Sequence, residues 1–217
     1  MSTSSAKIAR LTQLGLLSAI IFIMGFTPLG SIPLGGPIVA TLAQIPVVIG
    51  GVLLGTGAGA FLGGVFGFVS LLWFTMYAPP TAFVFSPFFS VGLAQGNIPK
   101  AILFALGSLI ICFVPRILIG VVASKLYRAV LTKTHSVSKA AAVAGVCGSL
   151  VNTLLVLLGI LVFFAAPYAQ VNGNIIWVLL GTSVLVNGIP EAIVTPLVTI
   201  AIVKPLSIMR NKQNTKI

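Results

Sequence analysis

The sequence predicts an all-α membrane protein with six transmembrane helices and both termini in the cytoplasm. Of its 217 residues, 58 % are hydrophobic and 6 % are charged, whereas soluble globular domains carry about 25 % charged residues. The apolar residues fall into long runs separated by short connections, so residues 1–217 are predicted to form a single transmembrane domain. The six predicted spans are Leu11–Phe26, Ile38–Leu54, Ala58–Phe74, Pro99–Tyr127, Ala140–Phe164 and Ile175–Val203.

The distribution of basic residues predicts the orientation. Most of the 12 Lys and Arg residues cluster at the N-terminus, around the loop between spans four and five, and at the C-terminus. Cytoplasmic loops carry an excess of Lys and Arg, so these regions are predicted to be cytoplasmic and the protein to be a multi-pass protein of the plasma membrane. The net charge of +11 is therefore attributed to topology and to contacts with the lipid bilayer, and no nucleic-acid partner is predicted.

Three connections, one helix face and two prolines have predicted structural roles. Thr27–Pro37 contains three prolines and three glycines, so it is predicted to be an irregular segment, either a lid over the protein or a plain connector. Tyr77–Asn97 is expected to rest on the protein, and Ala165–Asn174 to form a polar turn. Glycines at every fourth position of span three predict backbone-to-backbone packing. Pro46 and Pro115 are predicted to kink spans two and four.

Span one carries two small residues, Gly15 and Ala19, at a spacing of four. Small residues at this spacing let a second helix approach closely in lipid. Two interpretations remain open at this point, packing within the protein and docking of another membrane protein.

One stretch, Val184–Pro196, is central to the functional prediction because it contains Glu191, which is the single acidic side chain of the sequence. A charged group near the bilayer centre costs at least roughly 2.5–3.5 kcal/mol on insertion scales. Asn187 lies one helical turn earlier on the same face. Gly188 and Pro190 interrupt the hydrogen-bond ladder of the helix between them.

Other polar residues are predicted to lie at nearly the depth of Glu191. At 1.5 Å per residue, Arg116, Asn152 and Gln44 are each roughly 15–20 Å from the cytoplasmic ends of their spans. Each polar group needs a partner there, because an unpaired polar group in hydrocarbon costs several kcal/mol. We therefore predict a substrate pocket in the outer half of the membrane, below Thr27–Pro37, with these residues and Thr41 as ligands. A purely structural polar cluster, with Arg116 paired to Glu191, is the alternative.

Enzyme chemistry has little support in the sequence. The single histidine, His135, is predicted in a basic loop, and no pair of acids or metal-ligand spacing accompanies it. No Gly-rich phosphate loop with Lys-Ser/Thr is present, so the chain is predicted to be a transport subunit without its own ATPase site. No cofactor and no metal are predicted, and Cys112 and Cys147 are interpreted as buried free thiols. A stand-alone proton-coupled carrier using Glu191 and a non-transporting membrane scaffold remain alternatives.

Several motifs together resemble the substrate-binding S component of energy-coupling-factor (ECF) vitamin transporters. The combination is most similar to the pantothenate-specific members, while members for hydroxymethylpyrimidine, riboflavin or folate share parts of it. The resembling motifs are Thr-Pro-Leu-Gly-x-Ile-Pro-Leu from Thr27, Ala40-Thr-Leu-Ala-Gln-Ile-Pro-Val-Val-Ile-Gly50, Leu54-Gly-x-x-Ala58-Gly, Phe85-Ser-Pro-Phe-Phe89, Cys112-Phe-Val-Pro-Arg-Ile-Leu-Ile-Gly-Val-Val122, Gly148-Ser-Leu-Val-Asn-Thr153 and Asn187-Gly-Ile-Pro-Glu-Ala-Ile-Val194.

This resemblance implies a six-helix S-component bundle that binds the vitamin near the extracellular side, under the first loop. It implies a complex with a transmembrane T protein and two cytoplasmic ATPase subunits, and delivery of the vitamin by toppling of the S component. In the family, small residues of the first helix dock the T protein, and the matching positions here are Gly15 and Ala19. Pantothenate has one carboxylate, two hydroxyls and an amide, which suits a site that contains Arg116.

Overall fold

The computed structural model describes residues 3–35, 38–172 and 188–214. In these ranges the chain forms seven α-helices and one β-hairpin, and five of the helices are long and apolar enough to cross a membrane. This confirms the predicted class of helical membrane protein. The elements are α1 (Thr3–Phe26), β1 (Ser31–Gly35), β2 (Ile38–Thr41), α2 (Ile45–Leu54), α3 (Thr56–Tyr77), α4 (Pro87–Gly92), α5 (Ile98–Thr134), α6 (Val137–Asn172) and α7 (Ile189–Asn214).

The prediction of a helix from residue 38 onward was wrong for the first part of span two. Residues Ile38–Thr41 form strand β2, which pairs antiparallel with β1. Three of its four side chains are β-branched, a residue type that favours extended backbone. Helix α2 is therefore 10 residues long, about half the length that crosses a bilayer. Pro46 lies in its first turn, where a proline does not disturb the helix, so the predicted kink at Pro46 was also wrong.

The boundaries of the later spans differ from the predictions at their ends. Helix α5 has 37 residues and extends beyond the predicted end at Tyr127. Helix α6 is interrupted by a non-helical Phe164 and then continues to Asn172, so the predicted polar turn is helical over residues 165–172. Helix α7 begins at Ile189, and the earlier part of predicted span six lies outside the described residues.

Helices α3 and α5 approach each other closely along a row of glycines on α3. A methyl group added at Gly59, Gly63 or Gly67 would collide with the backbone of α5, at Gly120, Arg116 and Cys112 respectively. Contacts of this kind require residues without a side chain, as the sequence pattern predicts. The close packing sets the position of the α5 backbone at Arg116, and hence the start of that side chain.

One end of the bundle carries contacts made by basic side chains. Arg10 of α1 donates a hydrogen bond from Nη2 to the Leu54 carbonyl (3.3 Å), and Arg128 of α5 donates one to Ser124 Oγ (3.3 Å). The Ser124 hydroxyl also bonds the Thr56 hydroxyl at the start of α3 (3.1 Å). The N-terminal part of α1 and the C-terminal part of α5 thus lie at the same end, as the charge pattern predicts.

The connection between α3 and α5 rests on the protein, as predicted. Its residues Phe83 and Val84 are buried, and Ser86 is fully buried. Ser108 of α5 donates a hydrogen bond to the Phe83 carbonyl (2.8 Å), while the Thr75 and Ser86 hydroxyls bond each other (2.9 Å). These contacts hold the connection against both helices and place Phe85 at the wall of the cavity described next.

Candidate functional site: a polar and aromatic cavity

A cavity of about 690 Å³ lies between the helices, at the end of α1 and α3 that is opposite to the basic contacts. Small-molecule pockets in proteins typically enclose roughly 300–1,000 Å³, so the volume suits a small organic ligand. Its lining residues lie on helices α1, α3, α5, α6 and α7. Others lie in the turn after α1, just before α2, and in the connection that precedes α4. The lining residues are Met24, Gly25, Phe26, Thr27, Pro28, Gly30, Ala43, Phe66, Val69, Ser70, Trp73, Phe74, Tyr77, Thr81, Val84, Phe85, Arg116, Asn152, Thr153, Val156, Leu157, Ile160, Tyr168 and Glu191.

The base of the first loop borders this cavity. Thr27, Pro28 and Gly30 line it directly, and the Leu42 N–H donates a hydrogen bond to the Gly30 carbonyl (2.8 Å). This bond closes the base of the β1–β2 hairpin beside the opening. The segment predicted to be irregular is therefore a hairpin over residues 31–35 and 38–41, with its base at the cavity wall.

Arg116 is the cationic group of the cavity wall, and it is 7 % exposed. Its guanidinium carbon lies 4.9 Å from the centroid of the Phe85 ring and 5.6 Å from that of the Phe66 ring. Such distances place the cation in favourable contact with both rings. In the described part of the chain, Nη1 donates a hydrogen bond to the Ile111 carbonyl (2.9 Å), while Nε has no hydrogen-bond partner.

The acceptor of this hydrogen bond is a carbonyl that the helix itself leaves without its usual donor. In an α-helix, the carbonyl of residue 111 accepts from the N–H of residue 115. Residue 115 is Pro115, which lies inside α5 and has no N–H. The Arg116 guanidinium takes the place of the missing donor. Because Pro115 removes a backbone hydrogen bond, it leaves the Ile111 carbonyl available to the cation.

Glu191 lies in the first turn of α7, is 6 % exposed and lines the cavity. Its Oε2 accepts a hydrogen bond from the Gln44 amide nitrogen (3.4 Å). The same nitrogen lies 3.0 Å from Thr195 Oγ1 and 3.3 Å from Ser149 Oγ. Gln44 thus connects the start of α2 with α6 and α7 just outside the cavity.

The structure gathers three of the predicted ligands at one cavity and places a fourth, Gln44, directly behind one of them. Arg116, Asn152 and Glu191 line the wall, and the buried Asn152 Oδ1 has no hydrogen-bond partner among the described residues. Gln44 does not line the wall but contacts Glu191. Thr41 is the last residue of β2, and Asn187 lies outside the described residues.

Sequence reasoning missed the aromatic part of the site. Trp73 and Tyr77 are residue types typical of a membrane interface, yet they line the cavity with their ring centroids stacked 5.2 Å apart. Phe74 and Phe85 stack at 4.3 Å on the same wall. Phe66, which contacts Arg116, was not singled out either. The spacing of four between Trp73 and Tyr77 shows that they share a helix face, but spacing alone does not say whether that face meets lipid or a ligand.

Comparison with known proteins identifies the family. The family model for the substrate-specific component of ECF transporters matches residues 87–203. The chain is also 35 % identical over 175 residues, 81 % of its own length and 81 % of the other's, to the pantothenic acid transporter PanT of Lactococcus lactis subsp. cremoris (strain MG1363). The chain belongs to the ECF-transporter substrate-specific components.

This S component is thus a multi-pass plasma-membrane protein of a transporter family that acts on a small-molecule substrate with membrane partners. The matched region contains Arg116, Asn152 and Glu191 of the cavity wall. Phe66, Phe85 and Gln44 precede it, so three of the residues that contact the charged groups of the site lie before the family match.

Proposed function

We propose that this S component binds pantothenate in the cavity and that Arg116 binds its carboxylate. The observation that carries the proposal is a guanidinium buried at the wall of a ligand-sized cavity, with one hydrogen bond to the described residues. A guanidinium has five N–H donors, and the one on Nε makes no hydrogen bond to the described residues. A relative named for pantothenic acid transport supports the choice of substrate.

The remaining polar residues are proposed to bind the neutral groups of the vitamin. Asn152 offers an amide whose Oδ1 is unused among the described residues, which suits a hydroxyl or N–H donor of the ligand. Glu191 is proposed to accept from a ligand hydroxyl while Gln44 holds its Oε2 from behind. Thr41 and Asn187 stay proposed ligands on their sequence positions alone.

Transport is proposed to follow the mechanism of the family, in which the loaded S component docks on a transmembrane T protein and topples to release the vitamin inside. Two cytoplasmic ATPase subunits would drive this cycle, and this chain would contribute no ATPase site. Gly15 and Ala19 are proposed to form the docking face. The exposure of both residues on α1 supports this role, because a face that receives a partner helix in lipid is lined by small residues.

The experiment that tests the substrate is calorimetric titration of the purified chain in detergent with pantothenate, hydroxymethylpyrimidine, riboflavin and folate. We expect one-to-one binding of pantothenate and much weaker binding of the other three vitamins. Tight binding of one of the others in place of pantothenate would keep the family and refute the substrate. Equal binding of pantothenate to wild type and to Arg116→Ala would refute the role of Arg116.

A further inference from the structure

The orientation of the Arg116 side chain depends on groups that would not themselves touch a ligand carboxylate. A free arginine side chain has several rotatable bonds and samples many positions. Here the guanidinium is in contact with two rings and one carbonyl, from three different parts of the chain: Phe66 on α3, Phe85 on the connection before α4, and Ile111 on α5. Three contacts of this kind restrict the orientations that the guanidinium can adopt.

We propose that Phe66, Phe85 and Pro115 are positioning residues for Arg116, and that the orientation they impose makes the cavity select a ligand with a carboxylate. This inference rests on the proposed function, in which Arg116 binds the carboxylate. It adds that the selectivity is determined by residues behind and around the arginine rather than by its charge alone.

Pro115 contributes by keeping the Ile111 carbonyl available. An alanine at position 115 would bring back the N–H that bonds this carbonyl in a regular helix. The carbonyl would then be shared between a backbone donor, which the helix holds in place, and a mobile side chain. The guanidinium would lose its exclusive acceptor, and its Nη1 edge would be free to turn toward the cavity or away from it.

Phe66 and Phe85 contribute by shielding part of the guanidinium from water. Arg116 is 7 % exposed and Phe66 is 5 % exposed, so the cation is largely desolvated before any ligand arrives. Interactions between opposite charges strengthen as the surroundings become less polar. The guanidinium carbon lies over both rings, and Nε makes no hydrogen bond to the described residues. An anion can therefore bind at the N–H edges of the group.

Phe85 also links Arg116 to the connection between α3 and α5. Its ring stacks on Phe74 at 4.3 Å and lies 4.9 Å from the Arg116 guanidinium. The next residue, Ser86, is bonded to Thr75 of α3. A shift of this connection would therefore move the Phe85 ring and, through it, the Arg116 guanidinium.

The test compares two ligands that differ in one group, pantothenate and its alcohol analogue pantothenol, in which the carboxylate is replaced by CH₂OH. Calorimetry in detergent gives the ratio of the two dissociation constants for each variant. A merely structural defect weakens both ligands alike, whereas a misplaced guanidinium weakens pantothenate and leaves pantothenol nearly unchanged. We expect Pro115→Ala and Phe85→Leu each to reduce the preference for pantothenate about tenfold, the factor for one hydrogen bond to a charged group.

Three control variants accompany the test. Pro205→Ala removes a proline from helix α7 at an exposed position, and Phe68→Leu and Phe88→Leu remove exposed rings on α3 and α4. All three are expected to keep the wild-type ratio. Phe85→Tyr retains the aromatic ring and is expected to keep the preference for pantothenate that Phe85→Leu loses. A role of Phe85 in packing alone would weaken both ligands alike in Phe85→Leu and leave the ratio unchanged.

The outcomes distinguish this inference from the proposed function. A wild-type protein that binds both ligands equally would refute the role of Arg116 and this inference with it. A wild-type preference that Arg116→Ala abolishes but that Pro115→Ala and Phe85→Leu both retain would refute this inference and leave the proposed function standing. If Pro115→Ala does not fold, Phe85→Leu and Phe66→Leu decide the question in the same way.

Discussion

The Arg116 guanidinium donates a hydrogen bond to the Ile111 carbonyl, five residues earlier in the same helix (2.9 Å). A proline inside a buried helix normally leaves one carbonyl without a donor. Here the carbonyl that Pro115 leaves without a donor accepts from the side chain of the following residue. This hydrogen bond also provides local compensation for a cation inside the membrane, along with the Phe66 and Phe85 rings. These contacts help to stabilise a buried arginine within the membrane.

Replacing Arg116 by lysine is expected to weaken pantothenate binding about tenfold or more, although the charge remains. An ammonium cannot bind a carboxylate with two parallel N–H bonds, as a guanidinium does. Arg116→Ala is expected to abolish binding while the protein still folds. Both effects are measured by calorimetric titration in detergent, with size-exclusion chromatography as the check of folding.

The matched control is Lys133→Ala, which removes an exposed basic residue at the other end of the same helix. It is expected to bind pantothenate as the wild type does. Wild-type affinity in Arg116→Lys would show that a positive charge suffices for pantothenate binding and that the two parallel N–H bonds of a guanidinium are not needed.

Replacing Gln44 by leucine is expected to destabilise the protein by about 1–3 kcal/mol, the usual cost of leaving a buried polar group without its partner. Gln44 is fully buried, and its amide nitrogen contacts Ser149, Glu191 and Thr195 at the junction of α2, α6 and α7. Thermal unfolding in detergent measures the change. Gln13→Leu on α1, where residue 13 is exposed, is the control and should unfold near the wild-type temperature.

A second readout separates stability from binding in this variant. We expect Gln44→Leu to weaken the binding of pantothenate as well, because the Glu191 carboxylate loses the hydrogen bond that Gln44 donates to its Oε2. A Gln44→Leu protein of unchanged stability and unchanged affinity would contradict the assigned role of the Gln44 contacts.

Replacing Gly63 by alanine is expected to cost about 1–3 kcal/mol of stability, the typical penalty of overpacking a tight contact. A methyl group at Gly63 would meet the Arg116 carbonyl and the Ile117 Cα of α5. The adjacent Gly64 has no atom of another residue within 4 Å of such a methyl group, so Gly64→Ala is a control that differs by one position. Equal unfolding temperatures for the two variants would show that α3 and α5 separate without cost.

The convergence of the charged and amide residues could be predicted from the sequence, because helix rise relates chain position to distance along the bundle. Arg116, Asn152 and Glu191 therefore reach one cavity wall as predicted. The aromatic residues could not be placed in this way. Phe66 is 5 % exposed and Phe68 is 45 % exposed, yet they lie two residues apart in a helix that is apolar on every side. In lipid the outer face is as apolar as the core, so hydrophobic periodicity loses its meaning.

The hairpin was missed for a related reason. The apolar residues of Ile38–Thr41 continue directly into α2, so hydropathy alone presents one long span. The sequence signal that was available is the β-branched character of Ile38, Val39 and Thr41, which favours a strand. Pro46 in the first turn of α2 further indicates a helix start at this point rather than a kink.

The proposed docking face on α1 predicts that binding and transport can be separated by single substitutions. Gly15 and Ala19 are exposed, and among the described residues no atom of another element lies within 4 Å of a methyl group placed at Gly15. Gly15→Trp and Ala19→Trp are therefore expected to leave the fold and pantothenate affinity unchanged. If this face receives the T protein, the bulky indole prevents close helix contact and uptake of labelled pantothenate by cells falls to background.

The control for bulk is Leu154→Trp on α6, where the native side chain is 60 % exposed. A tryptophan there faces outward on a different helix, so uptake is expected to remain at the wild-type level. Co-purification of the T protein with each variant gives the second readout, and we expect it to be lost with Gly15→Trp and Ala19→Trp and retained with Leu154→Trp. Normal uptake in both α1 variants would place the docking face on another helix, while leaving pantothenate binding in the cavity unaffected.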